Sequence, residues 1–186
     1  MTQYEEEYEG YRPKYGVGNV GAYTYATTNI TLLYTNPATV FIGRFCSIAQ
    51  SLCIMNGGNH PTNHISTYPL QYTFPETLAL QGVIKGNVII ENDVWIGQHV
   101  HIMAGVRIGN GAIIGAFSIV GRDIPPYAIA VGNPAVVKKY RFSEDIRNRL
   151  LKLAWWNWPK EKIRSSLSLL NSSEIEKFLD YYEKEQ

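Results

Sequence analysis

The chain has only two cysteines in 186 residues, so it has no disulfide scaffold. It has no charge excess either. Seventeen basic residues face sixteen acidic ones, a net charge of +1, which offers no bulk attraction for nucleic acid or an anionic membrane. No apolar run approaches the roughly 20 residues that span a bilayer. The opening MTQYEEEYEG is acidic and lacks the apolar core of a secretory signal. These absences set the expectation of a cytoplasmic protein without an integral membrane segment or a nucleic-acid partner. A nucleophilic serine or cysteine elbow is also missing, which points any group transfer toward direct attack by an acceptor.

What is present is a period. Every sixth residue from Ile90 is a branched aliphatic: Ile90, Ile96, Ile102, Ile108, Ile114 and Val120. Six fits neither the 3.6 of a helix nor the 2 of a flat strand. It fits a chain wound around a three-sided prism, with a short strand on each face and a turn at each corner. A second column lies four places on, at Val94, Val100, Val106, Ala112, Ser118 and Ile124, and these mostly small residues should also face inward. The residue after each aliphatic is usually glycine (Gly97, Gly109, Gly115, Gly121), which reads as a supplier of positive φ at the corners. Ile42, Ile48 and Ile54 repeat the rule, which makes Cys46 an inward thiol and Cys53 an outward one, with no bridge between them.

The period divides the chain. Residues 1–39 read as irregular strands and turns leading into the prism, 40–54 as most of one coil, and 88–123 as two complete coils. Residues 55–87, crowded with Gly, Pro, Asn and His, read as a long excursion of the kind that usually carries function. Pro125-Pro126 reads as the end of the regular turns. A first unit therefore spans 1–140, and a helical segment spans 141–186. In that segment Ser143 caps a helix with Ile146, Leu150, Leu153 and Ala154 on one face. Pro159 opens a second helix carrying Ile163, Leu167 and Leu170. Ser172 or Ser173 caps a third, with Ile175, Phe178, Leu179 and Tyr182 inside. Trp155, Trp156 and Trp158 read as packing anchors. Flat β faces of such a prism suit burial against copies of the same chain, and three-fold closure is the natural symmetry.

His60, in NGGNHPTNH, stands among small residues and can accept a proton from a hydroxyl near neutral pH. His64 competes with it, and local spacing does not choose between them. His99 and His101, two apart and read as facing outward from one strand, would with His60 or His64 give a three-histidine metal site. No carboxylate partner for those rings is legible, so no metal is expected. Gly132-Asn133-Pro134-Ala135, followed by Lys138, Lys139 and Arg141, joins a turn to a basic cluster that can meet phosphates, as can Arg122.

The segments FIGRFCSIA, IMNGGNHPTNHISTYPL, VIIENDVWIGQHVHIMAGVRIGNGAIIGAFSIV and DIPPYAIAVGNPAVVKKY resemble the hexapeptide acyltransferases. Within them they are most similar to the xenobiotic branch, the type B chloramphenicol and streptogramin acetyltransferases, and to related polysaccharide and sugar O-acetyltransferases. The likeness covers roughly residues 17–165. It implies a left-handed parallel β-helix with C-terminal α-helices, a homotrimer, and acetyl-CoA as acyl donor in a groove between subunits. It also implies His60 as general base, Trp95 and Gln98 beside the thioester arm, and Ala116 and Ser118 along the pantetheine. Gly121 and Arg122 fall on the next matching turn, and Lys139 near the nucleotide phosphates. Tyr23, Tyr25, Asn56 and Tyr68 become acceptor contacts. Two departures, His60-Pro61-Thr62 and the short stretch after Tyr68-Pro69, direct the expectation to a saccharide hydroxyl. The alternatives are an antibiotic hydroxyl, an amino-sugar amine, or a non-catalytic structural or metal-binding coil.

Overall fold

The computed structural model describes residues 19–28, 30–33, 40–55, 57–74 and 85–184. Its strands are short and visit three sheets in strict rotation. The first face holds β1 (Asn19–Val20), β4 (Val40–Ile42), β7 (Val88–Ile90) and β10 (Arg107–Ile108). The second holds β2 (Tyr25–Ala26), β5 (Ser47–Ile48), β8 (Trp95–Ile96) and β11 (Ile113–Ile114), extended by β13 (Ala128–Val131) and β14 (Val136–Tyr140). The third holds β3 (Thr31–Leu33), β6 (Cys53–Met55), β9 (His101–Met103) and β12 (Ile119–Val120). All pairs are parallel except β13–β14, so each turn of chain lies on the one before it. The register keeps the sixfold columns stacked: Ile42 beside Ile90, Ile48 beside Ile96, Ile54 beside Ile102. Both inward columns merge in one buried core, Cys46 and Ser118 included. The two cysteines are free.

Two expectations need correction. The described residues 19–28 and 30–33 are not an irregular lead-in. They pair with the next turn as a coil whose columns hold Val20, Ala26 and Leu32 with Thr24 and Ile30, too varied a set to show the period. The regular turns also outlast the double proline, since Ile124 bridges Ile108 and the second-face strand β13 follows. Cys53 lies outside the core cluster, in keeping with an outward position, and is covered where it stands between Thr31 and His101 in the ladder.

The corner glycines have a different reason from the one expected. None of Gly97, Gly109, Gly115 or Gly121 has positive φ. That conformation falls two residues later, at Tyr23, Phe45, Ser51, Asp93, His99, Gly105, Gly111 and Phe117. Gly43, Gly97, Gly109 and Gly115 are places of close approach between coils, whereas Gly121 has room for a side chain. A Cβ on Gly97 would stand 2.6 Å from the Ala116 nitrogen, and one on Gly43 2.7 Å from the Glu91 carbonyl carbon. The absent side chain is thus a condition of stacking one corner on the next.

The helices seat on one edge of the prism. Helix α1 (Glu144–Leu153) is capped by Ser143, whose hydroxyl accepts the Ile146 N–H. It is followed by α2 (Lys160–Ser165), α3 (Leu167–Leu170) and α4 (Ile175–Glu183). No serine side chain caps α4, although the Ser172 hydroxyl accepts the Glu174 N–H just ahead of it. Leu150, Leu153, Trp156, Trp158, Phe178, Leu179 and Tyr182 form a second core that takes Tyr127 from the coil. Trp155 reaches the coil at Phe45, ring centroids 4.9 Å apart. Of the three tryptophans, Trp156 and Trp158 are thus buried mainly within the helical cluster. Arg149 on α1 clasps α4 through Glu176, Asp180 and Glu183.

Two predictions follow from stacking and clasp. Gly97→Ala should cost about 1–3 kcal/mol, because backbone rather than a movable side chain opposes the new methyl. Urea unfolding measures this, and an unchanged midpoint would mean the corners can part freely. The hydrogen bond from Arg149 holds the Glu183 carboxyl below its ordinary value of 4.5. A depressed carboxylate stabilises fully above that value and loses the contribution as pH falls through its lower folded value. Arg149→Met should therefore remove an acid step from the tryptophan-fluorescence stability profile below pH 4.5. A profile identical to the parent's would show that the clasp holds nothing.

Candidate active site

The excursion after β6 leaves the prism where the third face turns to the first, and the chain rejoins at β7. Gly58 turns it with φ +73°, a value glycine takes without strain. Within the described part, 57–74, the loop braces itself. The Tyr68 N–H donates to the Ser66 hydroxyl at 3.1 Å, and the Tyr68 and Thr73 hydroxyls are 2.8 Å apart. His60 Nδ1 lies 2.6 Å from the Thr67 carbonyl. A carbonyl only accepts, so this bond places the proton of the neutral ring on Nδ1 and leaves the Nε2 lone pair free on the exposed side. His64 is exposed and has no such anchor among the described residues.

A second group of candidates lies on the second face. Outward positions there fall in one row across the ladder: Tyr25, Ser47, Trp95, Ile113, Ile129, Lys139. Adjacent strands are about 4.8 Å apart, so three steps separate Trp95 from Lys139 by about 14 Å along the prism. Trp95 is 56% exposed and Tyr25 46%. Lys139 enters this row because Val136–Tyr140 is a strand, antiparallel to β13. Its Val-Val and Tyr are the strand signal that reading the segment as a turn with a basic cluster passed over.

At the edge between the second and third faces, Gln98 accepts a hydrogen bond from Gln50 Nε2 at 3.4 Å, and its carbonyl takes the Phe117 N–H at 2.9 Å. Ala116 is exposed beside Gly97. Ser118 is 0% exposed; its hydroxyl donates to the Gly115 carbonyl at 2.7 Å and accepts the Gly132 N–H at 3.0 Å. The Ser118 side chain therefore belongs to the interior and does not line a groove. Gly121 and Arg122 are exposed at the next edge, between the third and first faces, and so lie apart from Trp95 and Ala116 in one chain.

Other candidates are placed elsewhere. Tyr23 stacks on Phe45 at 4.6 Å on the edge that carries the helices, away from the loop. Asn56 lies outside the described residues. Arg141 is committed to structure, not free to meet phosphate: its Nη1 donates to Asp93 at 3.2 Å and to the Gly111 carbonyl at 2.8 Å. Burial raises the Asp93 carboxyl pKa, and Arg141 opposes that rise. His99 and His101 do not share a strand. His99 sits at a corner with φ +54° and stacks on Phe117, while His101 is in β9. Among the described residues no three His, Cys, Asp or Glu side chains gather to hold a metal. The Thr67 carbonyl had no signal in the sequence, because a backbone acceptor can belong to any residue type.

The coil and its repeat have relatives among known proteins. The family described as bacterial transferase hexapeptide (six repeats) matches residues 87–122. A protein named a probable macrolide acetyltransferase from Lysinibacillus sphaericus is 45% identical over 152 residues, 78% of this chain and 84% of the relative. A chloramphenicol acetyltransferase from Klebsiella aerogenes is 42% identical over 142 residues, 73% of this chain and 68% of the relative. A solved hexapeptide-repeat acetyltransferase from Vibrio cholerae superposes with a TM-score of 0.53 at 27% identity, covering 67% of this chain and 62% of the other. The chain belongs to the hexapeptide-repeat acetyltransferase family, and it is an acetyl-transferring enzyme. No helix among the described residues is long and apolar enough to cross a membrane.

The His60 bond makes a direct prediction. Nitrogen NMR of ring-labelled protein above the imidazole pKa should show His60 as the Nδ1–H tautomer and not His64. An Nε2–H tautomer at His60 would remove the Thr67 anchor.

Proposed function

We propose that this protein is an acetyl-CoA-dependent O-acetyltransferase in which His60 is the general base. The observation that carries this reading is the His60–Thr67 bond, since it leaves Nε2 as the proton acceptor and orients the ring. An acceptor hydroxyl gives its proton to His60 Nε2 as its oxygen attacks the thioester carbonyl. Backbone N–H groups at the coil turns hold the oxyanion, a contribution typically of about 3 kcal/mol per donor. Collapse breaks the carbon–sulfur bond, and the His60 imidazolium returns the proton to the departing thiolate. Both substrates are bound together, which lowers the entropy cost of their encounter.

The outward row fits an extended donor. Trp95 and Gln98 flank the thioester arm, Ala116 and the Ser118 backbone border the pantetheine, and Lys139 meets phosphate. Arg122 and Gly121 stand at another edge of the prism, the one between the third and first faces from which the His60 loop also departs. A complete site therefore takes residues from two copies. This supports a homotrimer of left-handed coils in which one subunit's loop edge faces its neighbour's row. The coil at 1–140 then supplies the chemistry, and 141–186 its helical cover, in a cytoplasmic enzyme.

For the acceptor, His60-Pro61 and the short stretch after Pro69 favour a saccharide hydroxyl, held by Tyr68 and, in the first coil, Tyr25. The second reading, an antibiotic hydroxyl, is favoured by the macrolide and chloramphenicol relatives and by the exposed Ile65, Tyr72 and Phe74 in the loop that carries the base. Free-thiol release from acetyl-CoA across sugars, nucleotide sugars, macrolides and chloramphenicol distinguishes them. With the active acceptor, His60→Ala should lower kcat at least about 100-fold with donor binding intact, while His64→Ala should change it only a few-fold. Equal turnover in His60→Ala would end the general-base assignment.

A further inference from the structure

The C-terminal helices do not close flush on the coil. Between them and the edge that carries Phe45, Asp93 and Tyr127 lies a cavity of about 520 Å³, within the size range of small-molecule sites. Its helical walls are mostly apolar, chiefly Leu150, Trp155, Ile163, Leu170 and Phe178, with the exposed Asn171, Ser172 and Ser173 at the rim. The coil side adds Phe45 and a polar group. There Asp93 and Arg141 pair at 3.2 Å, so that together they carry no net charge. Beside them Tyr127 is 1% exposed, and its hydroxyl has no hydrogen-bond partner among the described residues. A buried hydroxyl left unpaired is costly, and such a group in a native fold calls for a partner. The acetyl-transfer reading uses none of these three side chains.

We propose that this cavity is a second ligand site, which takes an apolar molecule bearing one neutral hydroxyl head. The walls accept a hydrocarbon body. The polar end selects the head by charge, since a carboxylate would meet Asp93 and an ammonium would meet Arg141. A neutral hydroxyl donates to the Asp93 carboxylate and accepts from the Tyr127 hydroxyl, which supplies the missing partner. The site is separate from the loop of His60 and from the outward row of the second face.

Calorimetric titration of the full chain with octan-1-ol, octanoate and octylammonium tests this. Octan-1-ol should bind saturably at one site, at least ten-fold tighter than either ion. Tyr127→Phe should weaken octanol about five-fold, as expected for one hydrogen bond, without lowering the melting temperature of the unliganded protein. Ser173→Trp, at the exposed rim of the cavity, should abolish octanol binding with the circular dichroism unchanged. Absence of saturable binding, equal binding of the ions, or parental affinity in either variant would overturn the proposal. A lower unliganded melting temperature in Tyr127→Phe would do the same, because it would show the hydroxyl already has a structural partner.

Discussion

Each coil rests on the one before it through a contact between backbones. At the corners, where Gly97 meets Ala116 and Gly43 meets Glu91, no room exists for even a methyl group. This closeness fixes the spacing of the coils, and the spacing lets Ile42, Ile90 and Ile108 stack as one continuous apolar column. It also aligns the outward positions, so that Tyr25, Trp95 and Lys139, far apart in sequence, share one row. A scaffold of short strands gains its rigidity from this repetition, since each unit buries its inner face only with a neighbour's help.

The sequence discloses such a fold to the extent that packing repeats. Six aliphatics at strict spacing announce the central coils, and the helical segment shows itself through Ser143, Pro159 and the spacing of Leu150, Leu153, Phe178 and Tyr182. The first coil is silent because Ala26 and Thr24 fill its inward positions as well as an isoleucine would, without looking periodic. The reason for the corner glycines is hidden as well. Glycine serves both positive φ and close approach, and only geometry separates them. Here several left-handed positions went to Tyr23, Phe45 and Phe117, aromatic side chains that nothing in the sequence marks as turn formers.

The candidate site is legible unevenly. His60 stands out by its small neighbours, but what distinguishes it from His64 is a main-chain carbonyl that side-chain reading does not register. Ser118 and Arg141 show the opposite difficulty. Both residue types suit a ligand groove, and both are used internally, one to tie the Gly115 and Gly132 turns and one to hold Asp93. A polar residue on a repeat position is ambiguous until its hydrogen bonds are counted.

The place where the long excursion leaves and rejoins has a consequence for how such enzymes diversify. The chain departs after β6 and returns at β7 with Ile90 beside Ile42, in the register that an uninterrupted coil would have. The insertion therefore transmits no offset to the turns above it. Its length and chemistry are free to drift while the wall beyond keeps its alignment. On the proposed division of labour, with the acceptor at the loop and the donor along the wall, a lineage built this way can sample new acceptors by replacing a single segment and keep its donor constant throughout.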